Sequence, residues 1–251
     1  MPVAENGDAE RPELTAVITG GDQGIGAAVA DRMLDAGYRV ISIGLALPEA
    51  SHPRLSGHVV DLLDNAATAA LAVQIANDHP VTHLVHNAGQ IWPNLLEDAR
   101  AEDIVGLAQL HLGAALTLVQ TFVGGMKQRR FGRILFNSSR AALGVPTRTA
   151  YSATKAGIGG MARTWALELA PHGITVNVVA PGPVLTQNFW DLVPRDSEQQ
   201  QALAARIPVG RLGEVADVAR AFMFFADPEA GFVTGQTLYV CGGASVGALS
   251  L

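Results

Sequence analysis

The chain of 251 residues has few cysteines, no excess of positive charge and no long hydrophobic run. Cys241 is the only cysteine, which excludes an intrachain disulfide and argues against a metal cluster. Acidic residues outnumber basic ones, 23 to 17, whereas a nucleic-acid-binding domain needs a clustered basic face. The polar N-terminal segment differs from a signal peptide, and no apolar run is expected to reach membrane-spanning length. These absences predict a cytoplasmic protein without a metal, a nucleic-acid partner or a membrane partner.

The composition that is present suits one large α/β domain. Hydrophobic residues make up 49% of the chain and charged residues 16%, enough for a sizeable core. Short apolar strands alternate with helical periodicity along the chain, and such alternation is typical of βαβ units. We therefore predict a single doubly wound Rossmann-type domain over residues 14–251, with a mainly parallel sheet flanked by helices. Residues 1–13 are predicted to be a flexible arm because they are polar and rich in acids.

Three stretches carry more specific structural expectations. Residues 59–60 are predicted to begin the third strand, and residues 102–127 to form one long helix. Residues 186–209 have an irregular pattern with aromatics and prolines, which indicates a loop region.

A glycine-rich turn follows the first predicted strand. In the segment Thr19-Gly20-Gly21-Asp22-Gln23-Gly24-Ile25-Gly26, Gly20 permits a tight turn. Gly24 and Gly26 leave room where a phosphate and the sheet must approach the backbone. Glycines alone are equally typical of an ordinary turn, but this turn opens the first helix of a βαβ series. That position favours a dinucleotide cofactor bound at a helix N-terminus.

Tyr151 and Lys155 stand four residues apart in a predicted helix. Residues at this spacing lie on one helix face, although such a pair is also common on solvated surfaces. A free tyrosine has a pKa of about 10, and a neighbouring cation lowers it. The pair therefore suits a general acid/base that works near neutral pH.

Together with Asn87-Ala88-Gly89 and Pro181-Gly182, these two motifs resemble those of the short-chain dehydrogenase/reductase family. The resemblance covers residues 14–243 and implies a seven-stranded Rossmann fold. It also implies hydride transfer between the nicotinamide of NAD or NADP and a carbonyl or secondary alcohol carbon. The family's usual assembly is a homo-oligomer, a tetramer or dimer built through the two long helices and the C-terminal region.

The resemblance assigns the catalytic roles. Tyr151 corresponds to the general acid/base, and Lys155 to the lysine that holds the nicotinamide ribose and lowers the tyrosine pKa. Two adjacent serines compete for the substrate-positioning role. The family's spacing to the tyrosine favours Ser138, whereas the register of the preceding strand favours Ser139, and we prefer Ser139 because a loop changes length more easily than a strand.

The resemblance also identifies the cofactor-binding positions. They are Gly20, Asp22, Gln23, Gly24, Ile25, Gly26, Gly44, Leu45, Asp61, Leu62, Asn87, Ala88, Gly89, Tyr151, Lys155, Pro181, Gly182, Val184 and Thr186. Gly44 and Leu45 stand where NAD-preferring members usually carry an acid, and Gln23 and Leu45 where NADP-preferring members often carry a base. Neither signature is present, and the negative charge of Asp22 slightly favours NAD.

The chain departs from the family pattern at two positions. His111 replaces an asparagine that orders a proton-relay water. It is either a relay residue in its own right or a tolerated core histidine, and we prefer the second interpretation. Cys241 replaces an aspartate, so the packing of the C-terminal segment is expected to be less secure.

The substrate side is less defined. Residues 186–209 occupy the position of the family's mobile lid, and Trp92, Arg140, Phe189 and Trp190 are candidate substrate contacts. The tryptophans suit lid packing equally well, while Arg140 and Arg148 suit either an anionic substrate or a solvated surface. A small or medium ketone, or the matching alcohol, is the expected substrate. The rival hypothesis is a dinucleotide-sensing protein that has lost catalysis.

Overall fold

The computed structural model describes residues 13–246 and contains a seven-stranded parallel sheet. The strands are β1 (Thr15–Thr19), β2 (Arg39–Gly44), β3 (Leu55–Val59), β4 (Val81–His86), β5 (Gly132–Asn137), β6 (Ile174–Pro181) and β7 (Thr237–Val240). They lie in the order β3-β2-β1-β4-β5-β6-β7. This arrangement confirms the predicted α/β doubly wound fold. The predicted arm falls almost wholly outside the described residues, and within them Glu13 forms an ion pair with Arg39 at 2.8 Å.

Helices cover both faces of the sheet. They are α1 (Gly24–Asp35), α2 (Asn65–Asp78), α3 (Ala101–Ala108), α4 (Ala114–Arg129), α5 (Thr149–Leu169), α6 (Gln187–Trp190), α7 (Glu198–Ala205) and α8 (Val215–Ala226). On one face, α1 and α8 pack through Met33 and Phe222 against β1. On the other face, α2, α4 and α5 bury Leu118 and Ile158 against the sheet. The core therefore has two layers, one on each side of buried strands.

The third strand lies earlier in the chain than we expected. It spans Leu55–Val59, so the predicted start at residue 59 is wrong and Val59 is its last residue. β3 forms one edge of the sheet and none of its residues is fully buried. An edge strand does not need a continuous apolar run, and the polar residues Ser56 and His58 concealed it from the sequence pattern.

The expected single helix over residues 102–127 is interrupted. A π-helical turn, Gln109–Gly113, separates α3 from α4. The combined segment Ala101–Arg129 reaches a hydropathy of 1.4 and has the length and composition to span a membrane, contrary to our expectation. Its buried residues, including Leu107, Leu118 and Phe122, pack as those of a core helix in this fold.

The strand order places the functional region. After β1 the chain moves outward to β2 and β3, and it then returns to place β4 on the other side of β1. Ligands of such sheets bind outside the carboxyl ends of the strands at this reversal. The glycine-rich turn follows β1 and Asn87 follows β4, so both flank the reversal. The predicted loop at residues 186–209 contains α6 and α7 and lies beyond β6.

Candidate active site

A cleft of about 800 Å³ opens at the carboxyl ends of the strands. This volume suits a cofactor together with a small substrate. Most of the predicted site residues line the cleft: Gly20, Asp22, Gln23, Gly24, Ile25, Gly44, Leu45, Asp61, Leu62, Asn87, Ala88, Gly89, Ser139, Arg140, Tyr151, Lys155, Pro181, Gly182, Val184, Thr186 and Phe189. Gly26, His111, Trp92 and Trp190 are not on its wall.

The glycine-rich turn has the geometry that a pyrophosphate requires. Gly20 has a φ of +61°, a conformation that favours glycine. A Cβ atom at Gly26 would overlap the carbonyl oxygen of Gly20, so the first turn of α1 can pack this closely only with glycine. Gln23 is the N-cap of α1 and its side chain makes no capping hydrogen bond. The N–H groups at the start of α1 therefore face the cleft without a side-chain cap, which suits an anion.

Asn87 ties the turn to the neighbouring strands. Its Nδ2 donates to the carbonyl oxygens of Gly20 at 2.9 Å and Thr19 at 3.2 Å. Its Oδ1 accepts from Asn137 Nδ2 at 2.8 Å, and the backbone N–H of Asn87 donates to Thr19 Oγ1 at 2.9 Å. The side chain therefore connects the ends of β1, β4 and β5 and fixes the floor of the cleft.

Lys155 is buried and held by backbone. Its Nζ donates to the carbonyl oxygen of Asn137 at 2.7 Å. Burial lowers the pKa of Lys155 to about 7. A lysine with this pKa exchanges protons near neutral pH, which is uncommon for the residue type.

The two serines have different surroundings. Ser138 is buried, and its Oγ donates to the carbonyl oxygen of Lys155 at 2.8 Å. Ser139 Oγ accepts from the N–H of Ala141 at 3.0 Å. Ser139 also lies close enough to Tyr151 for its hydroxyl to lower the pKa of the phenol. Ser139, rather than Ser138, is therefore the serine beside the tyrosine.

The surroundings of Tyr151 favour the protonated phenol. Burial raises its pKa, while the Ser139 hydroxyl and the positive charge of Arg148 partly offset that rise. Arg148 is the cation of this chain that lowers the pKa of Tyr151. Lys155 Nζ lies over the face of the Tyr151 ring, 5.6 Å from its centroid. The expected effect of Lys155 together with the positive charge of the cofactor stays a prediction. A buried neutral phenol is ready to donate a proton.

His111 lies behind the catalytic pair in the π-helical turn. Its side chain is fully buried, and its ring meets the Tyr151 ring edge-on at 5.7 Å. Nδ1 lies 2.8 Å from Thr154 Oγ1, whereas Nε2 has no hydrogen-bond partner. A Cβ atom at Gly89 would lie 2.9 Å from that Nε2 and 3.2 Å from Lys155 Nζ, so both atoms border one small space. Burial first, and then the charge of Lys155, lowers the pKa of His111 and keeps the imidazole neutral.

The two candidate tryptophans pack away from the cleft. Trp92 donates through Nε1 to Gln90 Oε1 at 3.1 Å and covers Gly106. Trp190 stacks edge-on against Phe189 at 5.1 Å, with Arg195 over its ring at 4.9 Å. Their contacts here are therefore with α3 for Trp92, and with Phe189 and Arg195 for Trp190.

Other wall residues carried no motif. Residues from the segment with α6 and α7 complete the wall, including Leu192, Val193, Gln199 and Leu203. No sequence motif could reveal these wall residues, because segments distant in the sequence meet only in the folded chain. The one available signal was the location of residues 186–209 after Pro181-Gly182. Within residues 13–246, no cluster of three or more His, Cys, Asp or Glu side chains is arranged to hold a metal ion.

A parallel sheet with a glycine-rich turn and a Tyr–Lys pair in one cleft defines a nicotinamide-dinucleotide oxidoreductase. The family model described as enoyl-(acyl carrier protein) reductase matches residues 20–245. The 3-oxoacyl-[acyl-carrier-protein] reductase FabG of Haemophilus influenzae is 37% identical over 238 residues, which are 91% of this chain and 96% of the relative. The chain therefore belongs to the short-chain dehydrogenase/reductase family and is an NAD(P)-dependent oxidoreductase.

Two further proteins are similar over nearly the whole chain. The (2S)-[(R)-hydroxy(phenyl)methyl]succinyl-CoA dehydrogenase subunit BbsD of Thauera aromatica is 37% identical and covers 92% of this chain and 96% of its own. The crystal structure of a Beutenbergia cavernae protein named as an NAD(P)-dependent gluconate 5-dehydrogenase, with NADP bound at low occupancy, has a TM-score of 0.85 at 31% identity. It covers 93% of this chain and 97% of that one.

Proposed function

We propose that this chain reduces a small-molecule ketone, or oxidises the matching secondary alcohol, with Tyr151 as the general acid/base. The observation that carries the proposal is the meeting of Ser139, Tyr151 and Lys155 in one cleft beside the glycine-rich turn. In the reductive direction the Tyr151 hydroxyl donates its proton to the carbonyl oxygen, and Ser139 Oγ donates a hydrogen bond to the same oxygen. Burial supports this role because it keeps Tyr151 protonated.

NAD(P) fits the other half of the cleft. The close packing of Gly26 against the Gly20 carbonyl oxygen and the uncapped N-terminus of α1 suit the pyrophosphate of the cofactor. The residues assigned to the cofactor in the sequence all line the cleft except Gly26, which lies behind the turn. When bound, the nicotinamide supplies or accepts the hydride.

Asp22 is the basis for a preference for NAD. A Cβ atom at Gly44 would lie 3.1 Å from Asp22 Oδ1, so the Asp22 carboxylate reaches the end of β2. A carboxylate there accepts hydrogen bonds from ribose hydroxyls and repels a 2′-phosphate. The similar structures named with NADP, including ElxO at 25% identity and a TM-score of 0.87, give this preference no support. The preference depends on Asp22 alone.

His111 is proposed as a positioning residue rather than a proton carrier. Its imidazole stays neutral, so it does not titrate in the catalytic pH range. The unpartnered Nε2 faces the space that Lys155 Nζ also borders at Gly89. A water molecule in this space would accept from Lys155 and donate to Nε2, and it would keep the ammonium oriented. This role extends the interpretation of His111 as a core histidine.

The relatives support carbonyl or alcohol chemistry, since one is named as a 3-oxoacyl-[acyl-carrier-protein] reductase and the other as a dehydrogenase of a hydroxy(phenyl)methylsuccinyl-CoA. Nothing in these names supports the alternative of a catalytically silent dinucleotide sensor. Phe189 lines the cleft from α6, and we propose that residues 186–209 act as a lid over the substrate.

A homo-oligomer, a tetramer or dimer, is also proposed, together with a cytoplasmic location. Leu167 on α5 is 80% exposed, and Phe232 is completely exposed. Exposed apolar side chains of this size are candidates for contacts between subunits, although single ones also occur on monomers. Light scattering coupled to size-exclusion chromatography measures the assembly, and a monomer at micromolar concentration would contradict it.

The proposed reaction is tested by following NAD(P)H absorbance against a panel of ketones and secondary alcohols. We expect turnover by the wild-type chain and a loss of at least about a hundredfold in Tyr151→Phe, which keeps the ring but removes the proton. Cofactor binding without any turnover, and with no further loss in Tyr151→Phe, would favour the sensor.

A further inference from the structure

We propose that the substrate of this enzyme carries an anionic group, a carboxylate or phosphate-type oxyanion, which Arg148 and Arg140 bind beside Tyr151. The inference rests on the proposed function, because it assigns the substrate side of the same cleft. It adds the substrate class, a carbonyl or alcohol compound that is also an acid.

Charge is divided between the two halves of the cleft. Its charged wall residues are Asp22, Asp61, Arg140, Arg148 and Lys155. The two acids lie beyond the ends of β1 and β3, whereas the three cations lie after β5 or at the start of α5. In the sheet, β5 and β3 are on opposite sides of β1. The cofactor half is therefore acidic and the catalytic half basic, in a chain whose net charge is −6.

Neither arginine has an acidic partner. Four ion pairs join charged side chains within residues 13–246, and none involves Arg140 or Arg148. Both side chains are half-buried. Partial burial lowers the pKa of Arg148. A half-buried cation without a counter-ion is stabilised when an anion binds to it.

The guanidinium of Arg148 is held in place with one edge open. Nη1 donates to Thr147 Oγ1 at 2.5 Å and to the Thr147 carbonyl oxygen at 3.3 Å. The same carbonyl accepts from the N–H of Asn94 at 3.0 Å, which fixes the loop. Among the described residues, no acceptor engages Nε or Nη2 of Arg148. That edge of a guanidinium carries the parallel N–H pair that binds a carboxylate or phosphate in two places.

Thr147 shows that this placement is maintained against backbone strain. Its φ is +65°, in the left-handed region that a β-branched residue rarely occupies. Such strain persists where the surroundings determine it, and it is concentrated at ligand-binding sites. Here the strained residue supplies both oxygens that hold Arg148 Nη1.

The remaining substrate wall is apolar. It includes Ile91, Val145, Leu192, Val193 and Leu203. Apolar walls with a few placed polar groups are typical of sites for organic acids of small to medium size. The apolar wall therefore fits the hydrocarbon body of the substrate. The two arginines bind its anionic end, and Tyr151 contacts its carbonyl oxygen.

Paired probes that differ only in charge test the inference. Acetoacetate and levulinate are compared with their methyl esters, and oxopropyl phosphonate with its dimethyl ester. We expect the wild-type enzyme to prefer at least one acid over its ester by about tenfold to a hundredfold in kcat/KM, the value of a hydrogen bond to a charged group. The carboxylate and phosphonate arms show which oxyanion the site accepts.

The acid-to-ester ratio separates anion binding from the effect of Arg148 on Tyr151, because the latter alters both probes equally. The ratio should fall to about one in Arg148→Gln. It should fall only partly in three other variants, Arg148→Lys, Arg140→Gln and Thr147→Gly. It should stay unchanged in Arg163→Gln. Arg163 is an exposed arginine of α5 and controls for net charge.

Each remaining outcome has a consequence. A wild-type enzyme that uses every ester as well as its acid overturns the inference, as does a ratio that Arg148→Gln leaves unchanged. If no probe is turned over, calorimetric titration of the enzyme–cofactor complex replaces the kinetics. The inference is supported if an acid binds to the wild-type complex and no longer binds to Arg148→Gln. It is overturned if neither acid nor ester binds, or if the two bind equally well. Failure to turn over any neutral ketone as well would count against the proposed function instead.

Discussion

His111 Nδ1 lies 2.8 Å from Thr154 Oγ1, and this contact determines which nitrogen of the imidazole carries the proton. The Thr154 hydroxyl has backbone acceptors one turn earlier, at 3.0 Å on Ala150 and 3.1 Å on Tyr151. With its own proton given to one of these carbonyls, Thr154 Oγ1 accepts from Nδ1–H. Nε2 then carries a lone pair, which suits its position near the Lys155 ammonium.

We expect His111→Phe to lower kcat by about tenfold or more, because it removes the Nε2 acceptor but keeps an aromatic ring. His111→Asn retains an acceptor and should keep most of the activity. Neither change should remove an ionisation near pH 6.5, since the imidazole is neutral throughout. Full pH profiles of kcat in both variants measure this. Equal activity of the two variants, or an ionisation lost in His111→Asn, would contradict a neutral acceptor.

Gly89→Ala tests the same space from the opposite side. The added Cβ would lie 2.9 Å from His111 Nε2 and 3.2 Å from Lys155 Nζ, so it would exclude a bridging water. We expect kcat to fall as in His111→Phe, with little further loss when the two changes are combined. Losses that multiply in the double variant would show that the two residues act independently.

The adjacent serines should separate cleanly into a catalytic and a structural residue. Ser139→Ala removes the hydroxyl beside Tyr151, and we expect kcat/KM to fall about a hundredfold with little change in stability. Ser138→Ala removes a buried bond to the Lys155 carbonyl, and we expect a loss of about 1 kcal/mol in the free energy of unfolding. Kinetics and urea unfolding of both variants decide the assignment. The reverse pattern would make Ser138 the substrate-positioning serine.

Asp22→Asn tests the cofactor preference while it conserves side-chain size. The neutral amide no longer repels a 2′-phosphate at the end of β2, so the ratio of kcat/KM for NAD to that for NADP should fall about tenfold. Asp61→Asn is the matched control, since it removes a cleft carboxylate elsewhere. A wild-type preference for NADP would refute the role of Asp22.

The fold was predictable because its signals are local. The buried strand β1 is a short apolar, β-branched run, and Gly37 follows the first helix as a stop signal. β3 was misplaced because an edge strand does not require such a run. The π-helical turn at His111 also carries no periodicity of its own, so the interruption of the long helix was not expected.

The site was predictable to the extent that its residues form motifs. The glycine-rich turn, Asn87-Ala88-Gly89 and the Tyr–Lys pair are fixed by backbone geometry and by helix spacing. Electrostatic effects depend on three-dimensional burial, which no motif records. For that reason no motif indicated that Arg148 is a cation that lowers the pKa of Tyr151. Cys241 is similar, because only the structure shows its Sγ 3.1 Å from Ser245 Oγ.

Lys155 offers a direct spectroscopic test, since Lys127 is the only other lysine in the chain. A protein labelled with carbon-13 at lysine Cε gives two side-chain signals, and Lys127→Arg assigns them. We expect the Lys155 signal of the cofactor-free enzyme to titrate near pH 7, because burial lowers its pKa to about 7. Exposed Lys127 is the internal control. A Lys155 signal that stays constant from pH 6 to about 9 would contradict this depression of the pKa.

Acid sensitivity follows from two buried histidines of β4. Burial lowers the pKa of both His83 and His86 to about 4, below the ordinary value of 6.5. Between these values the unfolded chain binds protons that the folded chain does not, so stability is lost as the pH falls from 6.5 towards 4. At pH 5 each histidine should cost about 2 kcal/mol relative to pH 7.

His83 is the better site for testing this acid sensitivity, because it lies away from the cleft. Its Nε2 lies 3.0 Å from the Ala226 carbonyl, and its ring packs edge-on against Tyr38 and Phe131, with Arg133 adding positive charge nearby. His83→Gln keeps a donor for that carbonyl but cannot titrate. We therefore expect the variant to be less stable than wild type at pH 7, yet to lose about 2 kcal/mol less on transfer to pH 5. Urea unfolding at the two pH values measures the difference, and an identical loss in both proteins would show that His83 is not a source of the acid sensitivity.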